Sequence, residues 1–483
     1  MNYDQFLQMI PEAALVAALI IVFCADFCLA KTKVKGYLMY CLTAVLLLVT
    51  TATATQVEPT SAFGGLYVTT PMVNVMKTIL TAGTLVVVIM SQTWFETGSA
   101  KKIEGEYYML VLSTLLGMYI MISSGNFLMF FLGLETASVP MACLVAFDRL
   151  KKNSAEGAAK YILMATFSSG VMLYGISMLY GVTGTLYFDD MAARLTQSDF
   201  YTADWGLCIA GLVFFFSGLG FKLSLVPFHL WTADTYQGAP TPVTGYLSVV
   251  SKGAAALALF IILTKVFGTM FEYWQLLLGV VIVLTITVGN LFAIRQTELK
   301  RFMAFSSISQ AGYIMLAVMG DPVMGATALT YYVLVYVAAN MAVFTVIHLV
   351  ERNNGGRTDM AAYNGFYQTN PKLSFLMTLA LFSLAGIPPF AGMFSKFFVF
   401  MAAAAEGSFW VYFVVFIALI NTVVSLYYYL LIVKAMYITK TDAPLPTFRS
   451  DFNSRLALAL CTAGVIAFGI VSCIYDWISN AAV

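Results

Sequence analysis

Four ionisable residues, Glu135, Lys222, Lys252 and Lys396, fall deep inside long apolar runs, and His229 follows one of them closely. A charge near the centre of a bilayer costs at least ~2.5–3.5 kcal/mol on insertion scales, so residues kept there are candidates for moving ions or protons. A carboxylate and an ammonium in neighbouring spans, Glu135 and Lys222, can form an interhelical pair that is structural or that controls proton release. Lys252 and Lys396 have no acidic residue in neighbouring spans. An ammonium without a counter-ion is costly to keep charged in a dry interior, so such a lysine can give up and regain a proton. Hydroxyls such as Ser248 and Ser251 offer it partners. His229 is suited to a proton path by its imidazole.

The elements that must position these residues are membrane helices. The chain has 483 residues, 60 % hydrophobic and only 10 % charged, with a formal charge of +1. Its mean hydropathy is +0.86. Soluble domains carry about 25 % charged residues. A soluble globule, a disordered chain, a coiled coil and a basic nucleic-acid-binding protein are therefore all excluded. A spanning helix needs about 20 apolar residues. Such runs lie near 11–30, 36–54, 72–93, 106–123, 126–147, 156–181 and 205–232, then near 240–267, 273–294, 302–319, 325–349, 373–404, 409–435 and 456–478. An all-α membrane protein with about fourteen transmembrane helices is expected. No basic stretch precedes the first run, so a cleaved signal peptide is not expected.

Placing the N-terminus outside and alternating puts 19 of the 25 Lys and Arg residues in inner loops. Lys31, Lys33, Lys35, Lys101, Lys102, Arg149, Lys151 and Lys152 are among them. Arg194 and Lys265 stay outside, beside the acidic set Asp189, Asp190, Asp199 and Asp204. This is the positive-inside asymmetry, and it expects both termini outside. Lys77 reads as a snorkelling lysine two turns from a helix end. Asp26 reads as an interfacial partner of the Lys31–Lys35 loop, and His348 as interfacial at its helix end. Lys265 and Lys434 sit at helix ends and need no function.

Three spans hold residues that ordinary helices avoid: Pro227 in the seventh, GAPTPVTG (238–245) opening the eighth, and Pro388, Pro389 and Gly392 in the twelfth. Proline removes a backbone donor, and in lipid the freed carbonyls must find protein or water. Broken helices with an adjacent ionisable residue are a transporter pattern. The broken, lysine-bearing seventh and twelfth spans are five apart, an odd shift that reverses orientation. The pattern implies an inverted five-helix repeat, helices 4–8 and 9–13. The chain then divides into 1–105, 106–268, 269–436 and 437–483. Seven scattered cysteines without a CxxC, and no Walker A sequence, dinucleotide fingerprint or metal-ligand cluster, argue against redox or nucleotide chemistry in this chain.

The runs GLETASVP (133–140), KYILMATFSSGVMLYGISMLYGVTG (160–184) and KLSLVPFHLWTADTYQGAPTPVTGYLSVVSKGAA (222–255) resemble the antiporter-like, proton-pumping membrane subunits of respiratory complex I. LKRFMAFSSISQAGY (299–313) and LAGIPPFAGMFSKF (384–397) do so too. Lysine at 252 within SKGAA, and lysine rather than glutamate at 396, favour one particular subunit over its relatives. The resemblance implies that Glu135 pairs with Lys222, that Lys252 is the central proton carrier and Lys396 the terminal one, and that His229 lies on the path between the seventh and eighth helices. It implies other membrane-arm subunits as partners, with NADH, FMN, iron–sulfur clusters and quinone held there and no cofactor or metal in this chain. The fourteen-helix length, shared with bacterial members, favours a bacterial inner (plasma) membrane. Two rivals remain: a subunit of a multisubunit sodium/proton antiporter, and a scaffold of the membrane arm that does not pump.

Overall fold

In a computed structural model, residues 3–30, 34–97, 103–196, 205–441 and 444–482 are described. Lys31, Lys33, Lys101, Lys102, Asp199 and Asp204, used above for topology, lie outside them. Among the described residues thirteen helices are long and apolar enough to cross a membrane. A tandem of two shorter ones, Pro371–Ala385 and Ala391–Ala404, completes the expected fourteen.

We number the spans α1 (Ile10–Cys28), α2 (Lys35–Gln56), α3 (Pro71–Thr97), α4 (Glu104–Ile122), α5 (Phe127–Val145), α6 (Lys152–Thr183) and α7 (Trp205–Leu223). Next come α8 (Thr241–Lys265), α9 (Phe271–Ile294), α10 (Leu299–Leu316) and α11 (Pro322–Asn353). The tandem is α12, followed by α13 (Phe409–Tyr437) and α14 (Phe452–Ile470). A small antiparallel hairpin, β1 (Thr60–Ala62) and β2 (Tyr67–Thr69), links α2 to α3.

α3, α8, α10 and α11 form the interior, and α10 is buried throughout from Phe302 to Leu316. Its sequence explains why: Ser306, Ser307 and Gln310 could not face lipid without losing hydrogen bonds, so the helix goes where protein surrounds it. α1, α2, α13 and α14 form the rim and expose apolar side chains such as Phe23, Leu48, Val423 and Leu460.

Three spans depart from regular helix. α7 stops at Leu223, a turn before Pro227, because Ser224 turns into the left-handed region at φ 62°. The chain then runs non-helically to a short helix, Thr232–Gly238. The freed groups are taken up by protein: Thr285 Oγ1 accepts from Val226 N at 3.0 Å, and the Phe221 carbonyl accepts from Trp231 Nε1 at 3.1 Å. α8 contains a π-helical turn, Leu247–Ser251, directly before Lys252. α12 breaks at Gly386, whose φ of 89° suits glycine. Its second half packs so closely on the first that a Cβ on Gly392 would collide with the Ser383 carbonyl oxygen.

Candidate functional site

Lys222 ends α7 and is 3 % exposed. Its ammonium donates to Ser138 Oγ at 2.8 Å on α5 and to Tyr161 OH at 3.4 Å on α6. Glu135 lies one turn before Ser138 on α5, half-buried, and accepts a hydrogen bond from Ser169 of α6. The two charges share α5 as a platform, but Ser138, not the carboxylate, holds the ammonium.

His229 sits on the non-helical stretch after α7, half-buried, and its Nδ1 has no hydrogen-bond partner among the described residues. Lys252 follows the π-turn of α8 and is 1 % exposed. Its partner is neither Ser248 nor Ser251. It donates to Ser307 Oγ of α10 at 2.8 Å and stands 5.8 Å from the centre of the Tyr236 ring, whose hydroxyl is 3.2 Å from the same Ser307 Oγ. Ser248 is taken by Asn340, at 2.5 Å.

Lys396 lies on the second half of α12, 4 % exposed. It donates to the Ala385 carbonyl at 2.9 Å, a group freed by the break itself, and stands 5.0 Å from the Tyr313 ring centre. The break thus supplies the acceptor that a buried ammonium needs in place of a carboxylate.

α10 connects the last two lysines. Ser307 holds Lys252, and Gln310, one turn on, donates to Tyr429 OH at 3.1 Å and to the Leu384 carbonyl at 3.2 Å, and accepts from Tyr332 OH. Ser306 and Tyr429 hydroxyls meet at 2.5 Å. Gln310, Tyr332 and Lys396 line a cavity of about 10 Å³, room for about one water. A polar series therefore runs from Lys252 to Lys396. From Lys222 the series passes through edge-on rings instead: Tyr161 to Trp231 at 5.1 Å, and Trp231 to Tyr236 at 6.4 Å.

Ser138, Ser307, Gln310, Tyr236, Tyr332 and Tyr429 were not singled out from sequence. The available signal was the run of polar residues at 306, 307, 309, 310 and 313 inside one apolar span.

Two further expectations are corrected. Lys77 does not snorkel. It is fully buried and pairs with Glu12 of α1 at 2.6 Å, and both touch Tyr67 OH, at 3.1 and 3.0 Å. α1 and the β1–β2 hairpin close over it, and Glu12 is its counter-ion. His348 is not interfacial. It is 3 % exposed and bonded through Nε2 to Thr93 at 2.9 Å, because α3 packs across the end of α11. The Asp26 reading holds, with Lys35 at 2.7 Å, and Lys265 at its helix end meets Asp189 at 2.8 Å.

At the end of the bundle with the basic loops, other charges clamp helices together. Glu351 of α11 accepts from Thr241 of α8 at 2.5 Å and from Lys151 at 3.1 Å. Asp234 accepts from Lys160 at 2.6 Å and from Arg301 at 2.5 Å. Among the described residues no group of three or more His, Cys, Asp or Glu side chains is placed to hold a metal ion.

A bundle of membrane helices with ammonium groups at its helix breaks, joined by hydroxyls and an amide, defines a class: antiporter-like, proton-handling membrane proteins. Comparison with known proteins agrees. Residues 124–422 match the family model described as NADH:quinone oxidoreductase/Mrp antiporter, TM. The chain is 56 % identical to NADH-quinone oxidoreductase subunit N of Phocaeicola vulgatus, covering all of both chains. It is 48 % identical to the subunit N of Azobacteroides pseudotrichonymphae over 99 % of this chain and 98 % of that one. Among solved structures it resembles a chain of respiratory complex I from Thermus thermophilus with bound aureothin, with a TM-score of 0.79, 29 % identity, and 96 % and 98 % coverage. A chain of the Mrp complex from Dietzia, at TM-score 0.83 but 20 % identity over 100 % of this chain and 97 % of that one, shares the fold. The chain belongs to the NADH-quinone oxidoreductase subunit N family.

Proposed function

We propose that this chain translocates protons in the membrane arm of an NADH:quinone oxidoreductase, driven by electron transfer in partner subunits that hold NADH, FMN, iron–sulfur clusters and quinone. The observation that carries the reading is the placement of three nearly unexposed lysines on neutral oxygen partners, with Ser307 and Gln310 of α10 between the last two. Identity of 56 % to a subunit N, against 20 % to the Mrp chain, favours complex I over a sodium/proton antiporter.

The mechanism proposed follows the geometry. A proton on Lys222 is stabilised by Ser138, Tyr161 and the nearby Glu135 carboxylate. Movement of Glu135 away weakens that stabilisation, because an opposite charge within ~4–6 Å favours the ammonium. The proton then passes towards Lys252, with His229 beside the route, and on through Ser307 and water held beside Gln310 to Lys396. The Ser307 hydroxyl accepts and donates at one oxygen, which a relay requires, while Gln310, whose donor and acceptor are different atoms, orients the groups around the water.

The two breaks, after Leu223 and at Gly386, support the inverted repeat of α4–α8 and α9–α13, with residues 106–268 and 269–436 as its halves. We place the chain in a bacterial inner membrane with both termini outside; the basic loops support this sidedness.

Replacing Lys222 or Glu135 with alanine is expected to reduce proton pumping several-fold in vesicles carrying the whole complex. Unchanged pumping in both variants overturns the pair mechanism. Protease access to the basic loops in the same vesicles reports the sidedness.

A further inference from the structure

A cavity of about 780 Å³ lies away from the lysine series, between the start of α12 and the first turns of α14. Three cations line it: Lys372, Arg449 and Arg455. Its lining contains no Asp or Glu, and among the described residues none of the three cations has an acidic partner. Asp451, the nearest carboxylate in sequence, is turned away to Arg352 at 2.5 Å. Beneath the cations the walls become apolar, with Leu376 on α12 and Leu458 on α14. Phe375 and Leu460, on the same two helices, are 56 % and 49 % exposed.

The rim is built rather than loose. Asn370 donates from its side-chain nitrogen to the Pro446 carbonyl at 3.3 Å and accepts from Phe448 N at 3.3 Å. These bonds hold the segment bearing Arg449 against the start of α12. Arg455 Nε donates to the Ser450 carbonyl at 2.7 Å, which fixes its stem and leaves the other guanidinium nitrogens available.

Three uncompensated cations above an apolar furrow match one kind of molecule, an anion with an acyl tail. Basic pockets between membrane helices bind anionic lipid head groups in this way, and guanidinium groups bind phosphate oxygens bidentately. We propose that this cavity binds an anionic phospholipid, its phosphate held by Lys372, Arg449 and Arg455 and its acyl chain lying against Leu376 and Leu458. A lipid seated there braces α12 at its first turn, one half-helix away from the break that holds Lys396.

The test uses the intact purified complex in nanodiscs doped with photoreactive phosphatidylglycerol, with adducts mapped by peptide mass spectrometry. Adducts are expected in 371–376 and 455–463. They should fall at least several-fold in the Lys372→Gln, Arg449→Gln, Arg455→Gln triple variant and by a lesser factor in each single variant, which keeps the test open if the triple variant fails to assemble. Photoreactive phosphatidylcholine should label these segments several-fold less. Three results overturn the proposal: equal labelling by the zwitterionic probe, loss of labelling to millimolar inorganic phosphate (a free-phosphate site), and no labelling with a cross-link to a neighbouring subunit instead.

Discussion

At the residue scale, the informative feature is what each buried ammonium touches. Lys222, Lys252 and Lys396 rest on Ser138, Ser307 and the Ala385 carbonyl, all neutral acceptors. Lys77, equally buried, rests on the Glu12 carboxylate. A lysine fixed by a carboxylate in a closed site is a strut. One held only by hydroxyl and carbonyl oxygens, as Lys252 and Lys396 are, can lose its proton without stranding an opposite charge; Lys222 has Glu135 one turn from its Ser138 partner. Lys77→Met should therefore destabilise the protein by ~3–5 kcal/mol, by leaving Glu12 uncompensated. Glu12→Gln added to it should restore much of the loss, read as the thermal midpoint of the solubilised complex. Equal midpoints for Lys77→Met and wild type would remove Lys77 from this role. Sequence made the buried lysines visible because charge is scarce in apolar runs. It did not distinguish strut from carrier, because that depends on Glu12, 65 positions away in the chain.

At the element scale, the three irregular helices supply what regular ones cannot. The α12 break was legible in Pro388, Pro389 and Gly392, and the α7 break in Pro227, although α7 ends at Leu223, nine residues before the apolar run does. The π-turn of α8 was not legible. Leu247–Ser251 contains no proline or glycine; it packs against α3 and α11, where Asn340 donates to Ser248. π-turns of this kind recur at functional sites. The α12 break is fixed by close approach, so Gly392→Ala, which sets a methyl against the Ser383 carbonyl oxygen, should cost ~1–3 kcal/mol and displace Lys396 from Ala385. A lowered thermal midpoint with reduced pumping is the expected pair of results. A variant with wild-type values in both would show that the halves of α12 need not meet there.

At the scale of the whole molecule, burial and polarity are organised together. The helices with the most polar side chains, α10 above all, are the most enclosed, and the rim helices are nearly all apolar. A water-soluble protein arranges its polar groups in the opposite way, since lipid rather than water is the outer solvent here. The number of spans followed from hydropathy and loop charge alone. The route between the lysines did not, because hydrogen bonds such as Lys252 to Ser307 join residues on different spans, 55 positions apart. The central claim is that protons cross this chain through Lys252. The most direct measurement is the number of protons pumped per NADH oxidised by the complete complex in sealed vesicles, wild type against Lys252→Met. The account predicts fewer protons per NADH and a several-fold slower pumping rate in the variant. Wild-type stoichiometry and rate would contradict it and leave the chain a scaffold.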